Sequence, residues 1–438
     1  MVNDQLPEQV PAPAGAPAGG GRRGLTGRLQ ASPYYPALTH PVIRRVLPGV
    51  SLSALGDGMS AVAIAWLALR IAPPASRGLW VGLAVAAYSL PGAAGAVVLR
   101  RWLRGRAGAR LVYVNAVLRA AALGLAGCLA LAHLLDPAGY VVLLGASSVL
   151  SAWGAAGKYT LIADLLPAGQ RVAGNTVFGL ADQISLMIGP ALAGVLAAAA
   201  GPAIVITLDA ASWAVLAASY ARIAPMVSRA ARSSPSQTPE QAAPRGAWAM
   251  IRATPVLPGL LALSFCFYLL YGPVEVALPV HVALDLHGSA ALLGLFWAAF
   301  GVGAIVGELA APFLRRLPVW PTMTAIVLGW GLALLPLGFS TPLWLALAAF
   351  FTGAVIWGPW TSLSMGVFQS AASPDALASV LAARGSLLIL ASPLGTAVGG
   401  PLVAGLGARG TLLISALGTV VLGLITVAVL VAARARSS

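Results

Sequence analysis

The sequence predicts an all-α polytopic membrane protein with twelve transmembrane helices in two six-helix halves, and three observations carry that prediction. Apolar residues make up 59% of the 438 and charged residues only 9%, where a water-soluble domain has about a quarter charged. Apolar runs long enough to supply the ~20 residues that cross a hydrocarbon core recur twelve times. The longest polar stretch within the membrane region, Pro225 to Arg252, divides those runs six and six. The mean hydropathy of +0.88 agrees. Strands are a poor alternative, because the runs are too long and lack strict alternation.

Taken in order, the runs lie at roughly 46–72, 79–99, 111–133, 139–163, 174–200 and 203–224, then at 256–283, 289–314, 319–340, 343–369, 380–405 and 409–433. Residues 1–40 are rich in Pro, Ala and Gly and have no apolar core of a signal peptide, so they read as a disordered cytosolic tail. The expected units are a first bundle over 41–224, a linker over 225–254, a second bundle over 255–433 and a short tail over 434–438.

A net charge of +14 would suit nucleic acid, but its distribution excludes that partner. With the N-terminus in the cytosol, 22 of the 26 Lys and Arg fall at the inner face, Arg70, Arg77 and Arg409 lie outside and Arg119 lies in a span. That is the positive-inside asymmetry. Twelve spans return the C-terminus to the cytosol. Cys128 and Cys266 both sit in apolar runs, so no disulfide framework is expected. Arg outnumbers Lys 25 to 1 in an Ala- and Gly-rich chain, as GC-rich coding in a bacterium would produce. The expected location is the bacterial inner membrane, as a multi-pass monomer in the lipid bilayer.

The stretch Asn175–Ala200 organises the chain. Asp182, Ser185, Gly189 and Ala193 fall on one stripe of a helix. The cluster Gly189-Pro190-Ala191-Leu192-Ala193-Gly194 returns 206 residues later as Gly395-Thr396-Ala397-Val398-Gly399-Gly400. Pro167 to Gln170 and Pro374 to Leu377 precede the two clusters at matching offsets. Small surfaces of this kind, including Gly303-xxx-Gly307 and Gly92 with Gly95, permit close helix crossings.

A charge at mid-helix costs about 2.5–3.5 kcal/mol on insertion scales, so each must face protein or water. Asp57, between Gly56 and Gly58, is the first candidate for proton coupling or gating. Lys158 and Asp182 lie at similar depths in spans 4 and 5, so one can neutralise the other, whether for gating or only to hold helices. Arg119 has a comparable depth. In the second half Tyr268, Tyr271 and Glu275 share a face of span 7, which Pro273 and Pro279 interrupt. Trp297 and Glu308 share a stripe of span 8, and span 10 offers Trp357, Trp360 and Thr361. An aromatic and acidic wall suits a lipophilic, often cationic substrate, while core packing or an interfacial belt competes as the reading of each single aromatic. His40, His133, His281 and His287 show no metal spacing, and no nucleophile–base set or nucleotide loop is present. An enzyme, a metal and a cofactor are therefore not expected, and energy should come from an ion gradient.

The chain resembles the major facilitator superfamily, in particular its bacterial branch of drug, macrolide and siderophore exporters. The residues that carry the resemblance are Leu55-Gly56-Asp57, Asn115 to Ala120, and the block from Lys158 to Trp213. That block includes Ile162 to Pro167, Ala173-Gly174-Asn175, Ile188 to Gly194 and Leu208 to Ser212. Pro374-Asp375 and Pro393-Leu394-Gly395 agree more loosely. The resemblance implies proton-coupled outward transport of a small amphiphilic compound by alternating access. It also implies that spans 2, 5, 8 and 11 form the interface between halves, and that span 3 is peripheral, which favours a structural role for Arg119. The loop between spans 2 and 3 departs from the family, having five arginines and no acid. That departure keeps open a second reading, a transport-inactive membrane partner or sensor with the carrier fold.

Overall fold

A computed structural model describes residues 35–103, 106–233, 244–371 and 374–437. Every regular element among them is helical. Eleven helices are long and apolar enough to cross a membrane. Spans 1 to 6 are Pro41–Ile71, Pro74–Ala96, Gly108–Leu131, Pro137–Ile162, Ala173–Ala200 and Pro202–Ile223. Spans 7 to 10 are Val256–Asp285, Ala290–Glu308, Val319–Gly338 and Leu343–Ala371. The eleventh helix, Ala383–Ala432, has 50 residues, more than twice what one crossing needs.

Gly407 resolves that excess. Its φ of 72° and ψ of 174° break the helix where a side chain would be strained. Gly338, Gly331 and Leu328 of span 9 face Leu413, Val420 and Gly423 in turn, so the chain beyond Gly407 runs antiparallel to span 9. Residues before Gly407 form span 11 and those after it span 12. The twelve predicted crossings are all present, and the start of span 1 and the end of span 12 lie on one face, called here the terminal face.

Residues 1–34 of the expected tail and 234–243 of the expected linker lie outside the described residues. Tyr35–Thr39 forms a short helix, the last helix of the first half continues to Ser233, and Pro244–Ala253 forms an amphipathic helix.

The repeat is visible in packing. Gly58 of span 1 lies against Ser185 and Gly189 of span 5, and Gly272 of span 7 lies against Gly395 of span 11. Each half thus builds its centre from the same backbone-to-backbone crossing, which a side chain would block. This corrects the expectation that the small-residue motif as a whole separates the halves. Gly189, Gly395 and Gly399 face their own half, as do Gly303 and Gly307 against span 10 and Gly92 and Gly95 against span 4. Of the glycines in the two clusters, only Gly194, against Gly294 of span 8, and Gly400, against Gly82 of span 2, reach across, while the Pro190 carbonyl also meets Gly294. A helix in the middle of such a molecule has neighbours on both sides, so successive turns serve different partners.

These two crossings, together with Gly78 against Val403, lie in the parts of their helices remote from the terminal face, and Gly301 of span 8 meets Met187 of span 5 nearer mid-helix. The two halves therefore touch closely on the opposite face. A Cβ on Gly194 would come within 2.8 Å of Gly294 Cα and the Ala290 carbonyl, so both backbones must part. Gly194→Leu is predicted to hold the opposite face apart. In a Cys128→Ser/Cys266→Ser background, a cysteine placed at buried Ala290 should react with a membrane-impermeant maleimide only when Gly194→Leu is present.

Candidate functional site

Among the described residues, the fully buried charges of the first bundle gather in one cluster. Asp57 sits on span 1, and Arg119 Nη1 donates to its Oδ1 at 2.5 Å. The Tyr88 hydroxyl of span 2 donates to the same oxygen at 2.7 Å. The Arg119 guanidinium lies between two rings, 4.9 Å from the centre of Tyr88 and 4.5 Å from that of Trp213 on span 6. Its side chain is 6% exposed, whereas that of Asp57 is 41% exposed. The pair therefore has a buried cation and an accessible carboxylate. Spans 1, 2, 3 and 6 all contribute, so span 3 carries Arg119 into the first bundle and not along its edge. Its span reaches the centre because Gly127 and Ala210 let spans 3 and 6 pack closely.

Next to this pair is a second carboxyl that the residue-by-residue reading missed. Asp209 of span 6 is fully buried. It accepts from the Ser60 hydroxyl at 2.5 Å, and Ser212 Oγ lies 3.4 Å from its other oxygen. Gly56 makes the room, since a Cβ there would strike both Asp209 and Ser212. Only the segment Leu208 to Ser212 marked it in the sequence, as a likeness and not as chemistry.

The Lys158–Asp182 pair forms as their depths predicted. Lys158 Nζ lies 3.3 and 3.2 Å from the two carboxylate oxygens, and the side chains are 24% and 42% exposed. Spans 4 and 5 are thereby tied near the terminal face. Glu275 of span 7 accepts from the Ser392 hydroxyl of span 11 at 2.9 Å, beside Tyr271. Glu308 lies elsewhere: it is exposed, meets the Ser362 hydroxyl, and borders a cavity of about 570 Å³ between the terminal-face ends of spans 8, 9 and 10.

The aromatic wall is partly a hub. Phe300 lies 5.8 Å from Trp297, 5.4 Å from Trp357 and 6.4 Å from Tyr271, ring centre to ring centre. Trp330 and Phe350 close the set at 5.9 and 5.4 Å from Phe300. Phe300 was not singled out in the sequence, because nothing in its spacing separates it from a lipid-facing ring. Tyr268 and Thr361 approach separately, hydroxyl to hydroxyl at 3.5 Å, with Thr361 exposed. Trp360 is a correction: it is fully buried with its ring edge-on to Phe267 at 4.8 Å, and belongs to the core. On the opposite face His281 Nδ1 lies 2.8 Å from Asp285, and Arg409 approaches the same carboxylate at 3.6 Å.

Two repeated bundles around buried charge, with no nucleotide or metal constellation among the described residues, define a polytopic membrane carrier. The Major Facilitator Superfamily model matches residues 46–387, and the chain belongs to that family. It is 26% identical over 392 residues to the multidrug efflux pump Tap of Mycobacterium tuberculosis (strain ATCC 25618 / H37Rv), covering 87% of this chain and 92% of that one. Solved structures share the fold at lower identity. A bacterial homologue of the iron transporter ferroportin in an inward-facing state has a TM-score of 0.65 at 16% identity, over 88% of this chain and 98% of its own. A bacterial homologue of the human lysosomal transporter Spinster, inward-facing and unoccupied, has the same TM-score at 13% identity, over 88% and 95%. The family and the efflux relative are transporters and not enzymes.

Arg119 is the residue whose loss the site tolerates least. Hydrogen bonds to charged groups contribute about 1.5–3 kcal/mol, and Arg119→Gln is predicted to lower stability in detergent by about 2 kcal/mol. The Asp57→Asn/Arg119→Gln double variant should recover part of that loss. Thermal unfolding followed by tryptophan fluorescence measures both.

Proposed function

We propose that the chain exports a small amphiphilic or lipophilic compound across the bacterial inner membrane by proton antiport, through alternating access of two bundles. The observation that carries this reading is the Asp57–Arg119 pair: a buried cation holding a carboxylate that is 41% exposed inside the first bundle. Such an acid can exchange its arginine for a proton or for a cationic substrate. Likeness to a multidrug efflux pump over 87% of this chain supports the class of substrate. The arginine distribution supports cytosolic termini. With that orientation, close contact of the halves on the opposite face corresponds to a carrier open toward the cytosol, ready to load.

The units of the cycle are the bundles over residues 41–224 and 255–433, joined by the linker over 225–254, with cytosolic tails over 1–40 and 434–438, acting as a monomer. Asp57, Asp182 and Glu275 are the acids on which coupling or gating depends. The Lys158–Asp182 ion pair ties spans 4 and 5 together near the terminal face, which supplies a gating pair that the all-arginine loop lacks. Tyr268, Tyr271, Trp297, Trp357 and Thr361 offer the substrate apolar and cation–π contacts. The chemistry is binding and proton exchange only.

Inverted membrane vesicles test this directly. Under an imposed proton gradient, uptake of a lipophilic cationic dye is expected in the native protein and at least tenfold lower uptake in Asp57→Asn. Asp182→Asn and Glu275→Gln should reduce it less uniformly across compounds. Full uptake in all three would remove the coupling sites, and no proton-dependent flux of any compound would favour a membrane partner or sensor.

A further inference from the structure

We propose that Asp209 is the group that holds and releases the transported proton, with Arg119 passing from the Asp57 carboxylate to that of Asp209 as the proton leaves; this rests on the antiport reading above. Charge and geometry carry it. The cluster contains two carboxyls and one guanidinium, and Arg119 is committed to Asp57. Asp209 is 0% exposed, and its hydrogen-bond partners among the described residues are the hydroxyls of Ser60 and Ser212, with no cation at ion-pair distance. The groups that face it are Asp57 from span 1, Tyr88 from span 2, Arg119 from span 3 and Tyr140 from span 4. A bare carboxylate in that enclosure, beside a second one, is far costlier than a neutral acid. Asp209 therefore carries a proton in the state in which Arg119 and Asp57 are paired.

The same geometry supplies the exchange. Trp213, on whose ring the Arg119 guanidinium rests at 4.5 Å, is one helical turn beyond Asp209, so the cation already lies along the face that bears it. Asp57 is open and Asp209 is closed, so a cationic substrate reaches only Asp57. When it binds there, Arg119 is released to Asp209, whose O–H bond breaks as the ion pair forms. The proton leaves to the water on the side to which Asp57 is open. Before binding the cluster holds one carboxylate, one guanidinium and one neutral acid. Afterwards it holds two carboxylates, one guanidinium and the substrate cation. Net charge is zero in both states, and one proton is exchanged for one monovalent cation without any contact between proton site and substrate.

Infrared difference spectroscopy of the full-length protein in detergent reads this without needing a transported compound. At neutral pH the native protein is expected to show a protonated-carboxyl band that is absent from Asp209→Asn. The same band should also be lost from neutral-pH spectra of Asp57→Asn, because Arg119 is then free to pair with Asp209. Ser60→Ala, which leaves both acids in place, should shift the band's frequency and covers the case in which Asp209→Asn fails to fold. An unchanged carboxyl spectrum in Asp209→Asn or in Ser60→Ala would overturn the assignment, and a native-like band in Asp57→Asn would overturn the transfer of Arg119. If the bands behave as stated but vesicles show no proton-coupled flux, the antiport reading fails while the protonation of Asp209 stands.

Discussion

The interaction on which the first half depends is the pairing of Arg119 with Asp57 at the centre of its bundle. Neither charge is tolerable alone at that depth, so spans 1 and 3 must present them to each other. Everything around the pair follows from that requirement. Tyr88 supplies a second donor to the same oxygen, Trp213 and Tyr88 provide ring faces for the guanidinium, and Gly56 leaves room for the span 6 acid. A core of leucines would hold these helices as well, without exposing a carboxylate on one side. The cluster thus presents a carboxylate that is paired with a buried cation and still accessible.

The two halves share a scaffold and divide the chemistry. The crossing of Gly58 with Gly189 is repeated by that of Gly272 with Gly395, so spans 1 and 5 correspond to spans 7 and 11. On that common frame the first half carries the Arg119–Asp57 and Lys158–Asp182 pairs. The second half carries rings gathered on Phe300, with Glu275 held by a serine in place of a cation. Between the halves, contact rests on glycines of spans 2, 5, 8 and 11 near one face. Smooth surfaces can separate without unlocking side chains, which is what rocking of two bundles requires.

The crossings, their number and the repeat were legible in the sequence because each is a matter of length, hydropathy or spacing along one chain. The Lys158–Asp182 pair was legible too, since adjacent antiparallel spans joined by a short loop bring equal depths together. Arg119 was not, because its partner lies two spans away and helical periodicity says which way a residue faces but not which helix it meets. The same limit misassigned Gly303, Gly307, Gly92 and Gly95, whose spacing signals a close crossing and leaves the neighbour open. Asp209 escaped because one acid in an apolar run has no periodic partner. Only the positions of Gly56, Ser60 and Ser212 give it meaning, and those meet it in three dimensions.

Simultaneous recording of substrate and proton movement in proteoliposomes tests the central claim most directly. With no gradient imposed, inward movement of a lipophilic cation through the purified protein should drive protons outward, in about equal number, and Asp57→Asn should abolish both fluxes together. Substrate movement that leaves the internal pH unchanged would contradict the account, whatever the affinity of the site for its ligand.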